Sequence, residues 1–201
     1  MKIGILGGSF DPVHKGHLSI AEDALVNAGL DKVLLVPVSQ AALKQGEVAA
    51  SGEARLEMLR LAVGSLSEEF FFKGRFEVCD LELRRGGVSW SVETARELRR
   101  QLVGAELFWI IGADQLAKLH LWRDVRELGE MVEFIAMERP GVEFVERTDL
   151  PWLRVRRCAG RRVDVSSTEL RRRLVAGESV EGLLPNKVVE YVRGNGLYRG
   201  E

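Results

Sequence analysis

Apolar residues along the chain follow two rhythms. In "KIGILG" (2–7), "KVLLVPV" (32–38), "RFEVCDLEL" (75–83), "LFWIIG" (107–112) and "VEFIAM" (132–137) they form short runs rich in Val, Ile, Leu and Phe, bounded by Gly, Pro or charge. Such runs read as strands buried on both faces. In "HLSIAEDALVNAG" (17–29), "GEARLEMLRLAVGSL" (52–66), "SVETARELRRQLV" (91–103) and "DQLAKLHLWRDVRELGEM" (114–131) they recur every three or four positions, as in amphipathic helices. The two kinds alternate, which predicts an α/β fold: an open parallel sheet with right-handed crossovers and helices on both faces. After about Pro151 the chain turns arginine-rich and offers one more strand around "RRVDV" (161–165). It then closes with a helical segment, "SSTELRRRLVAG" (166–177) and "PNKVVEYVRGNG" (185–196).

Composition narrows this picture without changing it. At 201 residues, with no repeat, linker or low-complexity stretch, the expectation is a single domain over 1–201. Hydrophobic residues at 46% and charged residues at 29% suit a globular fold. A net charge of -1 supplies no global positive field, so neither nucleic acid nor an anionic membrane is expected as a partner, and any phosphate must be bound locally. Cys79 and Cys158 are too few for a disulfide scaffold and too far apart for a zinc site. The opening "MKIGIL" lacks a basic-then-apolar leader, and no apolar run nears the roughly 18 residues of a membrane span. The expectation is therefore a cytoplasmic protein. A homo-oligomer is compatible with the sequence, which does not decide the point.

Candidate chemistry concentrates where the first strand ends. In an open parallel sheet, ligands bind beyond the carboxyl ends of the strands, where strand order reverses. There Gly7 and Gly8 allow a sharp turn and close approach to a ligand, and a helix whose free N–H groups favour an anion follows. Glycines at 4, 7 and 8 do not spell G-x-G-x-x-G, which argues against a dinucleotide oxidoreductase, and no P-loop occurs. Two of the chain's three histidines, His14 and His17, flank Gly16 and project toward the same region. Imidazole donates to phosphate oxygen, more strongly when protonated. A metal reading needs a third ligand, for which Asp11 is the only near candidate, so no protein-held metal is expected. Taken singly, each histidine reads equally well as a helix-start or core residue.

The whole string "GGSFDPVHKGHL" resembles the H-x-G-H motif of the nucleotidyltransferase superfamily, and its "GGSFDP" flank resembles the bacterial nicotinate mononucleotide adenylyltransferases. At the far end "VSSTELR" resembles that family's I-S-S-T-x-I-R. Between them "FWIIGAD", "LHLW" and "MERPG" resemble its G-A-D strand end, its following Trp and its R-P-G element, and "LLPNKVVEYVRGNGLY" resembles its C-terminal helix and tail. The likeness spans essentially the whole chain. It implies a Rossmann-like sheet of nucleotidyltransferase type and transfer of AMP from ATP to nicotinate mononucleotide, with pyrophosphate released and magnesium brought in by ATP.

The resemblance also implies roles. Gly8, Ser9 and Phe10 bring backbone against the AMP portion, while His14 and His17 donate to the phosphates of ATP. Ser166, Ser167 and Thr168 meet the leaving phosphates at a helix start, with Arg171 reaching back as a fork of donors. "SSTE" is at the same time a capping box, common in helices that bind nothing. On the acceptor side "SWSVET" resembles S-Y-T-x-D-T, with Trp90 for Tyr, Ser91 for Thr and Glu93 for Asp; Ser89, Trp90 and Ser91 would hold the pyridine ring and its carboxylate. Asp114 would accept from a ribose hydroxyl. Trp122 reads either as a stacking partner for the ring or as core, and Arg139 either as a phosphate contact or as a turn residue.

One loop departs from the family. Where P-P-H-K is usual, this chain has "AALK", keeping Lys44 as a point charge for phosphate but losing both prolines and the histidine. This bears on the acceptor more than on adenylyl transfer. Nicotinamide mononucleotide or another phosphorylated acceptor, or a nucleotide-binding module without turnover, are the competing readings.

Overall fold

The structure is a computed structural model that describes residues 1–42, 49–138, 144–161 and 163–199. Its centre is a six-stranded sheet built from β1 (Lys2–Gly8), β2 (Lys32–Pro37), β4 (Phe76–Val78), β6 (Glu106–Gly112), β7 (Glu133–Met137) and β8 (Val155–Cys158). The spatial order is β4-β2-β1-β6-β7-β8, and every neighbouring pair is parallel. A second, two-stranded parallel ladder joins β3 (Gln40–Ala41) to β5 (Val88–Ser89). Strand order reverses between β1 and β6, which places a crevice beyond Gly8 and Gly112.

Period-two alternation divides each strand between two cores. Leu6, Val33, Leu35, Phe108, Ile110, Ile135 and Met137 face one side. There they meet α1 (Lys15–Asn27), α2 (Gly52–Leu66), α7 (Ser167–Val175) and α8 (Asn186–Gly194) through Leu25, Met58, Leu59, Leu170 and Val188. Ile3, Ile5, Leu34, Val36, Trp109, Ile111 and Phe134 face the other side. That side is covered by α3 (Leu81–Arg85), α4 (Ser91–Gln101), α5 (Ala113–Leu116) and α6 (Val125–Met131), with Leu81, Val92, Leu98, Leu116 and Leu128 inward. The four inner strands β1, β2, β6 and β7 are buried on both faces, which is why their centres are apolar, while the edge strands β4 and β8 carry Glu77, Arg156 and Arg157.

Three expectations are corrected. The last strand is Val155–Cys158, upstream of "RRVDV". The Arg161 N–H is taken by the Asp23 carboxylate at 2.7 Å, and its guanidinium pairs with Asp23 and Glu22, so this stretch is tied to α1 instead of to a ladder. In "RFEVCDLEL" only Phe76–Val78 is strand, and the chain turns at Asp80 into α3. The stretch 114–131 is not one helix: α5 gives way to a 3₁₀ turn at Leu119–Leu121, and Asp124 takes a left-handed φ of 48° before α6. The break lets Trp122 reach the core edge-on between Trp109 and Phe134, each ring centroid 6.4 Å away. Among the described residues no helix is long and apolar enough to cross a membrane.

Candidate active site

The opening motif is a tight hook at the end of β1. The Gly8 carbonyl accepts from the Val38 N–H at 3.0 Å, holding the hook against the chain leaving β2. Phe10 has a left-handed φ of 49°, and its ring is fully buried, so the apolar core stabilises a backbone conformation that a non-glycine residue rarely takes. The Asp11–Pro12 peptide is cis. His14 is then the N-cap of α1, and its N–H donates to His17 Nδ1 at 3.3 Å. The two imidazoles stack with centroids 3.7 Å apart, and the Phe10 ring meets His17 edge-on at 4.9 Å. His14 is buried and His17 half-buried. Gly16 is required by close approach: a Cβ there would lie 3.0 Å from the His14 ring and 3.1 Å from a Val165 methyl.

The C-terminal motif arrives at this hook. Ser167 Oγ donates to the Pro12 carbonyl at 3.0 Å, and Arg171 donates to the Asp11 carbonyl at 2.7 Å while standing 3.8 Å from the Asp11 carboxylate. Ser166 does cap α7, its Oγ accepting the Glu169 N–H at 3.2 Å. Thr168 is exposed on the same turn, 3.5 Å from the Arg171 guanidinium. The loop that carries Gly8, Ser9, Phe10, His14 and His17 is thus joined to Ser167 and Arg171 through Pro12 and Asp11.

Three residues that sequence reasoning did not place hold this arrangement. Asp11, 2% exposed, accepts from the Ala49 N–H at 2.7 Å, the Ala50 N–H at 3.1 Å and the Tyr198 hydroxyl at 2.7 Å. Its oxygens are therefore engaged in structure. Among the described residues no group of three or more His, Cys, Asp or Glu is gathered to hold a metal. Arg55, 1% exposed, donates to the carbonyls of Ser9 and Val38 at 2.8 Å each and of Ala50 at 3.3 Å. Burial lowers its affinity for the proton, and the charge of Asp11 opposes that. Burial also pushes the Tyr198 phenol up, reinforced by its bond to Asp11. Arg55 had one signal, a lone arginine in an apolar helix stripe; Asp11 and Tyr198 had none beyond the motif and the tail.

The acceptor-side residues form a second group along the same edge of the sheet. Ser89 is buried and its Oγ accepts the Ser39 N–H at 2.9 Å, fastening β5 to the chain after β2. Trp90 is the N-cap of α4, Ser91 is the first helical residue, and the Arg123 guanidinium lies 5.1 Å over the Trp90 ring. Asp114 begins α5 just past β6 and accepts from Gln115 Nε2 at 3.1 Å. Trp122 is half-buried, with an indole N–H that is buried and has no hydrogen-bond partner among the described residues. Arg55 links the two groups, since it binds Ser9 of the first and Val38, next to Ser39, of the second. Lys44 and Arg139 lie outside the described residues.

A family model described as cytidylyltransferase-like matches residues 5–173. A protein of Opitutus terrae named probable nicotinate-nucleotide adenylyltransferase is 51% identical over 199 residues, covering 99% of this chain and 98% of that protein. The chain belongs to the nicotinate-nucleotide adenylyltransferase family. A relative so named from Methylacidiphilum infernorum is 38% identical, covering 98% of this chain and 92% of that protein. The likeness of fold extends over the whole chain: Plasmodium falciparum nicotinic acid mononucleotide adenylyltransferase complexed with NaAD superimposes with a TM-score of 0.79, at 17% identity, over 98% of this chain and 97% of that one. At that identity what the two chains share is the fold.

Proposed function

We propose that this chain transfers the adenylyl group of ATP to the phosphate of nicotinate mononucleotide, giving nicotinate adenine dinucleotide and pyrophosphate, a step in making NAD. The observation that carries the reading is the pinning of α7 through Ser167 and Arg171 onto Pro12 and Asp11, in the same loop that presents His14 and His17. It gathers imidazoles, a guanidinium and a helix start where the sheet reverses, which is a setting for a polyphosphate. The names of its family relatives support the acceptor.

In the reaction an oxygen of the acceptor phosphate bonds to the α-phosphorus, and the bond from that phosphorus to the bridging oxygen breaks, with the charge leaving on pyrophosphate. The nucleophile is already anionic, so no base has to remove a proton. Alignment then contributes about 7–11 kcal/mol, against about 3–4 kcal/mol for one donor aimed at developing charge. His14 and His17 act as donors to the ATP phosphates, and the backbone of Gly8, Ser9 and Phe10 lies along the AMP portion. The turn Ser166–Thr168 and Arg171 receive the leaving phosphates. Magnesium travels on the triphosphate as part of the substrate. Ser89, Trp90 and Ser91 hold the pyridine end and Asp114 a ribose hydroxyl, while the buried indole N–H of Trp122 gives that ring a donor to spend on a ligand. Lys44 and Arg139 add positive charge for the acceptor phosphate.

The test is pyrophosphate release with ATP and magnesium, comparing nicotinate mononucleotide, nicotinamide mononucleotide and phosphopantetheine. Turnover with the nicotinate form far above the other two is expected. ATP binding without turnover on any of them would replace the reading by a nucleotide-binding module.

A further inference from the structure

Beside the acceptor group lies a buried polar chain that the reaction itself does not call for. Glu82 in α3 is 3% exposed, Thr94 in α4 is fully buried, and Ser89 in β5 is buried as well. Thr94 Oγ1 donates to Glu82 Oε1 at 2.5 Å and accepts from the Arg85 guanidinium at 3.1 Å. The Ser89 hydroxyl faces the same carboxyl, and its oxygen in turn accepts the Ser39 N–H at 2.9 Å. A proton thus points inward to Glu82 from Arg85 through Thr94, while Glu82 Oε2 is buried with no hydrogen-bond partner among the described residues. Trp90 and Ser91 sit in sequence between the two hydroxyl residues.

We infer that Glu82 is a positioning residue for the acceptor: by holding Thr94, whose hydroxyl also reaches the Trp90 carbonyl at 3.5 Å, it fixes the turn that carries Trp90 and Ser91. The inference rests on the proposed acceptor site. A carboxylate is suited to this because it is acceptor-only, so the Thr94 hydroxyl can meet it in one orientation, as donor. A buried carboxylate is not kept for stability. Burial pushes the Glu82 carboxyl up; the hydrogen bonds from Thr94 and Ser89 and the charge of Arg85 pull it part way back, and Glu93 adds to the rise. A raised folded value means that Glu82 stabilises the fold below its unfolded value and that this contribution is lost as pH rises through the folded one. Burying its charged form is a cost to folding, so loss of the carboxylate has to show in acceptor recognition if positioning is its role.

Steady-state kinetics on Glu82→Gln, Thr94→Val and Thr94→Ser, with thermal melting at neutral pH, test this. Glu82→Gln keeps the volume but replaces one acceptor oxygen by a donor; Thr94→Val removes the relay hydroxyl and Thr94→Ser keeps it. Expected for the first two is a rise of roughly tenfold or more in KM for nicotinate mononucleotide, the scale of a hydrogen bond to a charged group. KM for ATP and kcat should stay within about twofold, with Tm of Glu82→Gln no lower than that of the parent, and Thr94→Ser should behave as the parent does. An unchanged acceptor KM in folded variants, or equal rises for ATP and acceptor, overturns the inference. If Glu82→Gln fails to fold, Thr94→Val carries the same test with the carboxyl in place. Absence of turnover in the unsubstituted protein overturns the proposed function, and is told apart because it needs no variant.

Discussion

His17 is restrained on several sides, by the His14 amide at Nδ1, the His14 ring on its face and the Phe10 ring at its edge. Such restraint is useful only to a group whose position matters in the transition state, so His17→Ala should lower kcat by about two to three orders of magnitude with the circular dichroism spectrum unchanged. Near-normal turnover in that folded variant would remove His17 from the chemistry. Gly16→Ala is a sharper probe, since it touches no substrate. Its Cβ must displace the His14 ring or the Val165 methyl, so kcat should fall with little change in Tm, and wild-type turnover would show the stack to be dispensable. At this scale the sequence was legible where chemistry and position coincide in short motifs: the loop carrying His14 and His17 meets the turn carrying Ser167 and Arg171. Asp11, Arg55 and Tyr198 were not legible, because their partners are mostly backbone groups or residues far along the chain. No spacing encodes a guanidinium that binds three carbonyls.

Helix α7 shows how one element serves two ends. Its first turn is capped by Ser166, and its exposed side carries Glu169 between Arg172 and Arg173. Those two guanidiniums hold the Glu169 carboxyl down to about 2, from an ordinary 4.5. A depressed folded value stabilises above the unfolded value and is lost as pH falls through the folded one. The melting temperature of the parent should therefore decline between about pH 4.5 and 2 more steeply than that of Glu169→Gln; parallel curves would show the exposed pairs to be screened out. Of the capping box read from "SSTE" the Ser166 half forms, while the Glu169 carboxylate turns to Arg172 and Arg173; the same turn also docks on the opening loop, because a cap uses one hydroxyl and leaves the next free to reach Pro12. Helix α2 makes the contrasting case, with Arg55 inside it. Arg55→Leu strands the carbonyls of Ser9, Val38 and Ala50 and should cost about 3 kcal/mol or more in urea unfolding, where a surface arginine costs less than 1 kcal/mol. Elements with one clear rhythm were readable to within a few residues. The stretch 114–131 was not, since its helical rhythm persists through a break imposed by where Trp122 must pack.

For the molecule as a whole, the sheet's two apolar faces were visible in the strand runs, and the parallel order followed from the alternation. The location of the sixth strand was not, because "RVRRC" and "RRVDV" both mix Val with Arg, and the bonds of Arg161 to Asp23 and Glu22 tie that residue to α1. The tail closes the fold: the Lys15 N–H donates to the Leu183 carbonyl, and the Tyr198 hydroxyl, 187 positions along, reaches Asp11. Tyr198→Phe should cost about 1–2 kcal/mol and lower turnover, measured by urea unfolding beside the kinetic assay; an unaltered protein would show the tail to be ornamental. That single hydroxyl also sets an order of events during synthesis. A ribosome makes Asp11 long before Tyr198, and chains gain structure from the N-terminal side as they emerge. The growing polypeptide can form its sheet early, yet the Asp11 carboxylate lacks this bond until Tyr198 has left the tunnel.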